Sequence, residues 1–164
     1  MPGLCADNAV FLRILNMPPL PTHEADEAAT LQLLVSMARA FKAIDDYVRP
    51  RLAVHGLAMT EYAILEVLHH KGPITLGQLS QKILVTGAST NYTVNKLEKR
   101  GLICRTGLKQ DQRVILAELT PGGRKLIEEV FPLHVTDLQF ATRGLSKPEK
   151  KTLTKLLRKL RKNI

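Results

Sequence analysis

The sequence predicts a mainly α-helical protein with one small antiparallel β-hairpin, and three observations predict it. Apolar residues recur every three or four positions through both ends of the chain, which is the stripe of an amphipathic helix. Two short helical segments, ITLGQLSQKIL and VTGASTNYTVNKLEKRGL, follow one another in the middle with only a tight turn between them. Two β-prone runs, LICRT and RVILAEL, then flank the polar loop GLKQDQ.

The elements follow in chain order. Residues 1 to 21 form an N-terminal arm that Pro18, Pro19 and Pro21 keep loosely ordered. A long helix runs from Glu24 to about Leu52, with Leu34, Met37, Phe41, Ile44, Val48 and Leu52 on one face. Thr22 is placed to cap it, and Pro50 is expected to kink or end its last turn, because proline lacks the amide donor and crowds the preceding turn. After Gly56, Thr60 is the next cap candidate, and Ile64, Leu65 and Leu68 mark a shorter helix that stops at Gly72-Pro73. Thr75 and Gln78 stand in capping-box spacing, opening a helix that buries Leu76, Leu79 and Ile83.

Thr86 caps the next helix, which reaches Arg100 and closes at Gly101 in the left-handed conformation that glycine adopts cheaply. Val94 and Leu97 face inward, whereas Ser89, Asn91, Tyr92, Asn95, Lys96 and Lys99 are left outside. Two such helices in tandem make a helix-turn-helix, and the hairpin after it is the wing of a winged helix. Thr120 caps the following helix with Pro121 at its first position, and Leu126, Ile127 and Val130 supply its core face through Leu133 to Phe140, with a bend at Pro132. Ser146 and Glu149 form a second capping box before a last helix striped with Leu153, Leu156, Leu157, Leu160 and Ile164. The winged helix-turn-helix therefore spans residues 55 to 120. Residues 22 to 54 and 121 to 164 make a helical dimerisation region, because their apolar faces exceed what the small winged unit covers.

Composition narrows the function. With 45% hydrophobic residues in 164 the chain is not generally disordered, and 4% aromatic content without tryptophan suits a helical core of Leu, Ile, Val and Ala. A net charge of +9 favours an anionic partner, nucleic acid or an acidic membrane surface, without choosing between them. Residues 143 to 164 hold nine Lys or Arg and one Glu, so +8 of the +9 sits there, read as the solvated face of a helix with a bonus attraction to DNA. Cys5 and Cys104 form no CxxC pair, so a reducing cytoplasm is expected. The apolar stretch AVFLRILNMPPL, residues 9 to 20, is too short to span a bilayer and lacks a signal peptide's basic flank and cleavage site, so no membrane partner is expected.

The polar helix carries the chemistry. Ser, Thr and Asn at positions 89, 90, 91 and 93 are poor helix formers unless something rewards them, which sets this face apart from an ordinary solvated surface. Asn91 and Asn95 share a face and match adenine in the major groove of double-stranded DNA, and Tyr92 suits a phosphate or a thymine methyl. Thr86, Ser89, Lys96 and Lys99 suit phosphates, as does Lys109 in the hairpin loop. Arg113 is the probe for the minor groove, where narrow walls focus negative potential, and Asp111 two positions earlier holds the guanidinium in place. An exposed Asp-Arg pair contributing ~0 to 1 kcal/mol is the plain alternative. A winged-helix protein-interaction module, in which the same helix meets a protein, is the alternative function. No Ser-His-Asp phrase or Gly-rich phosphate loop argues for an enzyme or a cofactor. His69 and His70 point about 100° apart and His23, His55 and His134 are scattered, so no metal site is expected.

KLEKRGLICR, then Asp111-x-Arg113, then Leu-Thr-Pro-Gly-Gly ending at Gly123, resembles the MarR family of bacterial winged-helix regulators over roughly residues 55 to 130. The resemblance implies a homodimer on a palindromic operator, usually repressing, and released by a small phenolic or other aromatic compound or by cysteine oxidation. Positions 86 to 100 correspond to the recognition helix, and Arg113 with Asp111 to the wing pair. The stretch from Gly56 to Leu102 is also similar to the branch that answers quinones and related electrophiles. Ala117 departs from the larger aliphatic residue usual in the wing strand, which predicts looser packing, and the arm is longer than the family's. A ligand-operated switch needs a cleft between the dimer helices and the winged unit, for which Met37, Phe41, Tyr47, His55, Met59 and Tyr62 are the candidates. A redox switch needs a thiolate near positive charge, and Cys104 beside Arg105 is the candidate, against its plain role as a buried filler; Cys5 is expected to be merely exposed in the arm.

Overall fold

A computed structural model describes residues 25 to 108 and 111 to 162, with the backbone alone at 25, 26, 108 and 111 to 114. The arm, residues 1 to 21, and Thr22 lie outside the described residues, as do His23 and Ile164. The chain divides into two units, residues 1 to 47 and 48 to 164. The first is described as helix α1, Ala25–Val54, which also runs into the second. On it Leu33, Leu34 and Phe41 are exposed, Met37 and Tyr47 are half-buried, and Lys42 pairs with Asp46 one turn on at 2.7 Å. Pro50 does not end α1, which continues to Val54 before Gly56 turns the chain at φ +68°.

The second unit contains the end of α1 and helices α2 (Met59–Lys71), α3 (Leu76–Ile83), α4 (Gly87–Lys99), α5 (Pro121–Ala141) and α6 (Lys147–Lys162). Its three strands are β1 (Ile74–Thr75), β2 (Ile103–Leu108) and β3 (Asp111–Leu119). One buried cluster joins them: Leu52 from α1, Leu57, Tyr62, Ile64, Leu65 and Leu68 around α2, Leu79 from α3, Val94 and Leu97 from α4, Ile103 and Ala117 from the strands, and Ile127 and Val130 from α5. Each fully buried leucine or isoleucine here contributes roughly 1.5 to 3 kcal/mol. Helix α2 is the hub, packing against α3, α4, α5 and β3.

Helix starts follow local chemistry. α2 is capped at Ala58, two residues before the expected Thr60, and Ala58 has no side-chain acceptor; Glu61 substitutes by accepting from Ala58 N at 2.7 Å. In the Thr75-Gln78 box both halves form: Thr75 Oγ1 accepts from Gln78 N at 3.2 Å and Gln78 Oε1 from Thr75 N at 3.1 Å. At α6 the second box works differently from the expectation. Glu149 Oε2 accepts both Ser146 N, at 2.7 Å, and Ser146 Oγ, at 2.6 Å, so the serine hydroxyl donates to the carboxylate rather than accepting from the helix. The α6 stripe, Leu153, Leu156, Leu157 and Leu160, is exposed.

The sheet is antiparallel in the order β1-β3-β2, so β3 is central. The two-residue strand β1 is missed by a reading based on alternation, since it is too short to alternate. Both wing strands extend into the expected loop, with a register irregularity between Gly107 and Leu108, and Leu108 pairs with Asp111. Ala117 is fully buried and flanked by Ile74 and Arg105, so its small side chain fits between two neighbouring strands and the expected looseness is not seen there.

The Thr-Pro-Gly-Gly junction joins the wing to α5. Thr120 Oγ1 accepts from Gly123 N at 3.1 Å and donates to Gly101 O at 2.6 Å, while Thr120 N donates to Leu102 O at 3.1 Å. Gly123 lies so close to Leu102 that a Cβ there would overlap the Leu102 carbonyl. α5 continues through Pro132 to Ala141, and Thr136 Oγ1 donates to the Pro132 carbonyl at 3.0 Å.

Candidate nucleic-acid interface

Helices α3 and α4 form the helix-turn-helix. Leu84 makes its turn in the left-handed region at φ +56°, unusual for a residue with a side chain, and is almost fully exposed. Thr86 then caps α4, its Oγ1 accepting from Ser89 N at 3.2 Å, which leaves the hydroxyl proton free to donate outward. Of the four short polar residues at 89, 90, 91 and 93, two turn inward. Thr90 and Thr93 are buried and return their hydroxyls to the carbonyls of Thr86 and Ser89, each at 3.0 Å, the back-bonding that satisfies a buried hydroxyl within a helix. Ser89, Asn91, Tyr92, Asn95, Lys96 and Lys99 are exposed. Tyr92, Asn95 and Lys99 are three and four positions apart and so share one stripe.

The outer face is braced from two sides. Glu61 on α2 is buried, 2% exposed, and its carboxylate meets Lys96 Nζ at 3.0 Å and Arg100 NH1 at 3.2 Å while capping Ala58. Burial works to raise the Glu61 pKa, but the Ala58 amide, Lys96 and Arg100 outweigh it and hold the group below the usual carboxylate range. From β2, Arg105 NH1 reaches Glu98 Oε2 and NH2 reaches Asn95 Oδ1, each at 2.6 Å. Lys96 and Asn95, read from the sequence as a phosphate contact and a base contact, thus each already hold an intramolecular partner, whereas among the described residues Asn91, Tyr92 and Lys99 hold none.

Glu61, Arg100 and Arg105 escape sequence reasoning. Glu61 leaves one trace, since it falls on the apolar stripe Leu57, Ile64, Leu65, Leu68, where a charge is out of place unless paired. Arg105 leaves none, because which acceptors a strand arginine meets depends on how β2 packs against α4.

In the wing, Asp111 opens β3 and Arg113 is its third residue; their backbones are described and their side chains are not. Lys109 lies outside the described residues. Cys104 is half-buried, and its Sγ donates to Glu118 Oε1 at 3.6 Å. Burial pushes the thiol pKa up, and Glu118 and Glu98 push it further, so the sulfur stays protonated. The neighbouring Arg105 does not counter this, its guanidinium being turned to Glu98 and Asn95. Alkylation of Cys104 at neutral pH is therefore expected to run slower than that of a free thiol, and Glu118→Gln to accelerate it; peptide-resolved iodoacetamide labelling measures both.

The six ligand candidates divide. Met37, Phe41 and Tyr47 belong to the first unit, and His55, Met59 and Tyr62 to the second. Tyr62 is buried, its ring 4.3 Å from the His134 ring, and Met59 packs against the core. Burial raises the Tyr62 phenol pKa, with Glu66 adding to it, and burial lowers that of His134 against the opposing pull of Glu66 and Asp137. His55 lines a cavity of about 310 Å³ between the end of α1 and the middle of α5, together with Leu52, Val130, Leu133, His134 and Arg51, which pairs with Asp137 at 3.1 Å. His134 Nδ1 is buried and has no hydrogen-bond partner among the described residues. Among the described residues, no helix is long and apolar enough to cross a membrane.

Comparison with known proteins agrees with this architecture. The model of the MarR family matches residues 57 to 115. The HTH-type transcriptional regulator MhqR of Bacillus subtilis is 35% identical over 131 residues, covering 80% of this chain and 90% of its own. BpsR of Bordetella bronchiseptica, whose DNA binding is regulated by 6-hydroxynicotinic acid, is 25% identical with a TM-score of 0.72, over 79% of this chain and 98% of its own. Sco3205, a MarR family regulator from Streptomyces coelicolor solved in complex with DNA, superposes with a TM-score of 0.76 at 23% identity over 90% of this chain and 92% of its own. A helix-turn-helix with a bared polar face, a wing beside it, and a relative this similar along most of both chains together place the protein in the MarR family of DNA-binding transcriptional regulators.

Proposed function

We propose that two copies of this chain bind a palindromic operator in the cytoplasm as a repressor, and that a small hydroxylated aromatic compound or electrophile releases them. The observation that carries the reading is the exposed face of α4, whose Ser89, Asn91, Tyr92, Asn95 and Lys99 stand clear of the core on a helix braced by Glu61 and Arg105. Thr86 and Lys96 contact phosphates at its two ends, while Lys109 and Arg113, with Asp111 orienting the latter, bring the wing to the backbone and minor groove. Residues 22 to 54 and 121 to 164 form the dimer region. The exposed Leu33, Leu34 and Phe41 of α1 and the leucine stripe of α6 support it, being apolar surface that a second copy would cover. The two recognition helices must then stand about one turn of DNA apart, roughly 34 to 36 Å.

For the effector, the cavity at the end of α1 offers apolar walls with a few polar groups, the usual make-up of a small-molecule site. His55 and His134 on its lining suit a hydroxyl or carboxylate, and BpsR answers to a hydroxylated aromatic acid. Tyr62 stands behind the site with its ring against His134, and Met59 packs on the same core. The protonated state of Cys104 favours this ligand route over a thiol switch.

A mobility-shift titration tests the proposal. Log affinity for operator DNA is expected to fall linearly with log salt, with a slope of about 0.9 per phosphate neutralised. Arg113→Ala should weaken binding roughly tenfold, the value of one charge-assisted hydrogen bond. Binding of duplex that is insensitive to salt, or unaffected by Arg113→Ala, contradicts the assignment.

A further inference from the structure

We propose that Arg105 sets the base preference of the recognition helix by holding the Asn95 amide in one orientation, so that Asn95 reads the acceptor edge of guanine rather than adenine. The inference rests on the DNA-binding role proposed above and specifies what one position of that interface reads.

The geometry has three parts. Asn95 and Glu98 lie one turn apart on α4, and Arg105 comes across from β2 to bridge them, NH1 on Glu98 Oε2 and NH2 on Asn95 Oδ1, both at 2.6 Å. A guanidinium is a donor only, so the Asn95 atom facing it must be the amide oxygen, whichever way the amide would otherwise turn. The amide NH₂, with its two donors and no partner among the described residues, is then the outward end of an exposed side chain that shares the outer stripe of α4 with Tyr92 and Lys99.

Bidentate pairing of asparagine with adenine needs the amide oxygen to accept from N6 and the amide nitrogen to donate to N7. In this protein that oxygen already accepts from a cation. Its second lone pair remains, but adenine would have to bring its own donor group against the same oxygen beside the guanidinium, donor against donor. Guanine presents N7 and O6, both acceptors, and suits an NH₂ that only donates. The Glu98 carboxylate keeps Arg105 in this position, because a planar guanidinium with both ends occupied has little rotational freedom. A lysine, with a single ammonium on a flexible stem, would not hold both acceptors in this fixed geometry.

Selection of bound duplexes from a randomised pool, followed by affinities for the winning site and its single-base variants, tests the inference. The wild type should prefer guanine over adenine at the position lost on Asn95→Ala, by roughly tenfold, as expected for one good base contact. Arg105→Lys should keep most of the affinity and salt slope but level that preference or move it towards adenine. Arg105→Ala should do the same at lower affinity, with circular dichroism melting showing that each variant is folded. If both Arg105 variants keep the wild-type preference, or if Asn95→Ala loses none, the inference is overturned while the DNA-binding role stands. If the wild type shows no sequence preference, the role and the inference fall together.

Discussion

Gly123→Ala should destabilise the fold by about 3 kcal/mol, the upper part of the range for forcing an extra carbon into a packed site. The added Cβ would overlap the Leu102 carbonyl, and that backbone cannot simply give way. Leu102 O also accepts from Thr120 N at 3.1 Å, so moving it disturbs the junction at which wing, α4 and α5 meet. For a chain of this length the loss corresponds to a melting temperature lower by roughly 6 to 12 °C, measured at fixed protein concentration. Gly122→Ala is the control, because a Cβ there meets its nearest atoms at 3.6 and 3.7 Å, ordinary van der Waals contact. It should range from neutral to about 1 kcal/mol stabilising, since alanine suits a helix better than glycine does. Equal melting of the two variants would show that the close approach to Leu102 does not govern this junction.

Glu61→Ala should have the next largest effect on stability, about 2 kcal/mol or more. The cap on Ala58 is worth ~1 kcal/mol, and breaking a fully buried pair costs about 3 to 5 kcal/mol. The second figure is discounted here because Lys96 and Arg100 are part-exposed, at 52% and 33%, and can turn to water once unpaired. The pH dependence has a definite sign. The folded-state pKa lies below the ordinary carboxylate value of 4.5, so the carboxylate's contribution is complete at neutral pH. As the pH falls below about 4.5 the unfolded chain takes up its proton first, and the stabilisation fades until the folded-state value is passed. Denaturant melts between pH 3 and 7 should show a steeper acid loss for wild type than for Glu61→Gln. Parallel curves for the two would mean that folding leaves the Glu61 pKa unchanged. Operator affinity of Glu61→Gln should also fall, because Lys96 and Arg100 lose the anchor that fixes the end of α4.

The order and type of the helices could be read directly, because each signal was local. Thr75 with Gln78, Thr86, and Thr120 with Pro121 cap where their spacing says they should, and Gly72 and Gly101 close helices at positive φ. Val94 and Leu97 are fully buried, as the period of α4 requires. The junction signature Leu-Thr-Pro-Gly-Gly carried the family resemblance, and its last glycine turns out to be a packing requirement. Local signals failed where a distant partner decided the outcome. Thr90 and Thr93 look like their polar neighbours yet are buried, since the helix phase set by Val94 and Leu97 turns them inward. Tyr62, read as a cleft residue, is pressed against His134 from a helix about seventy residues away in sequence.

The amino-acid order by itself thus determined the succession of elements, the face that α4 bares and the family, because capping, periodicity and turn chemistry act over a few residues. The tertiary structure alone decided which of the bared side chains are free. Arg105 reaches Asn95 across ten positions and Arg100 reaches Glu61 across thirty-nine. A charged hydrogen bond depends on atoms coming within about 3 Å, and that proximity is a property of packed helices and strands rather than of neighbours along the chain.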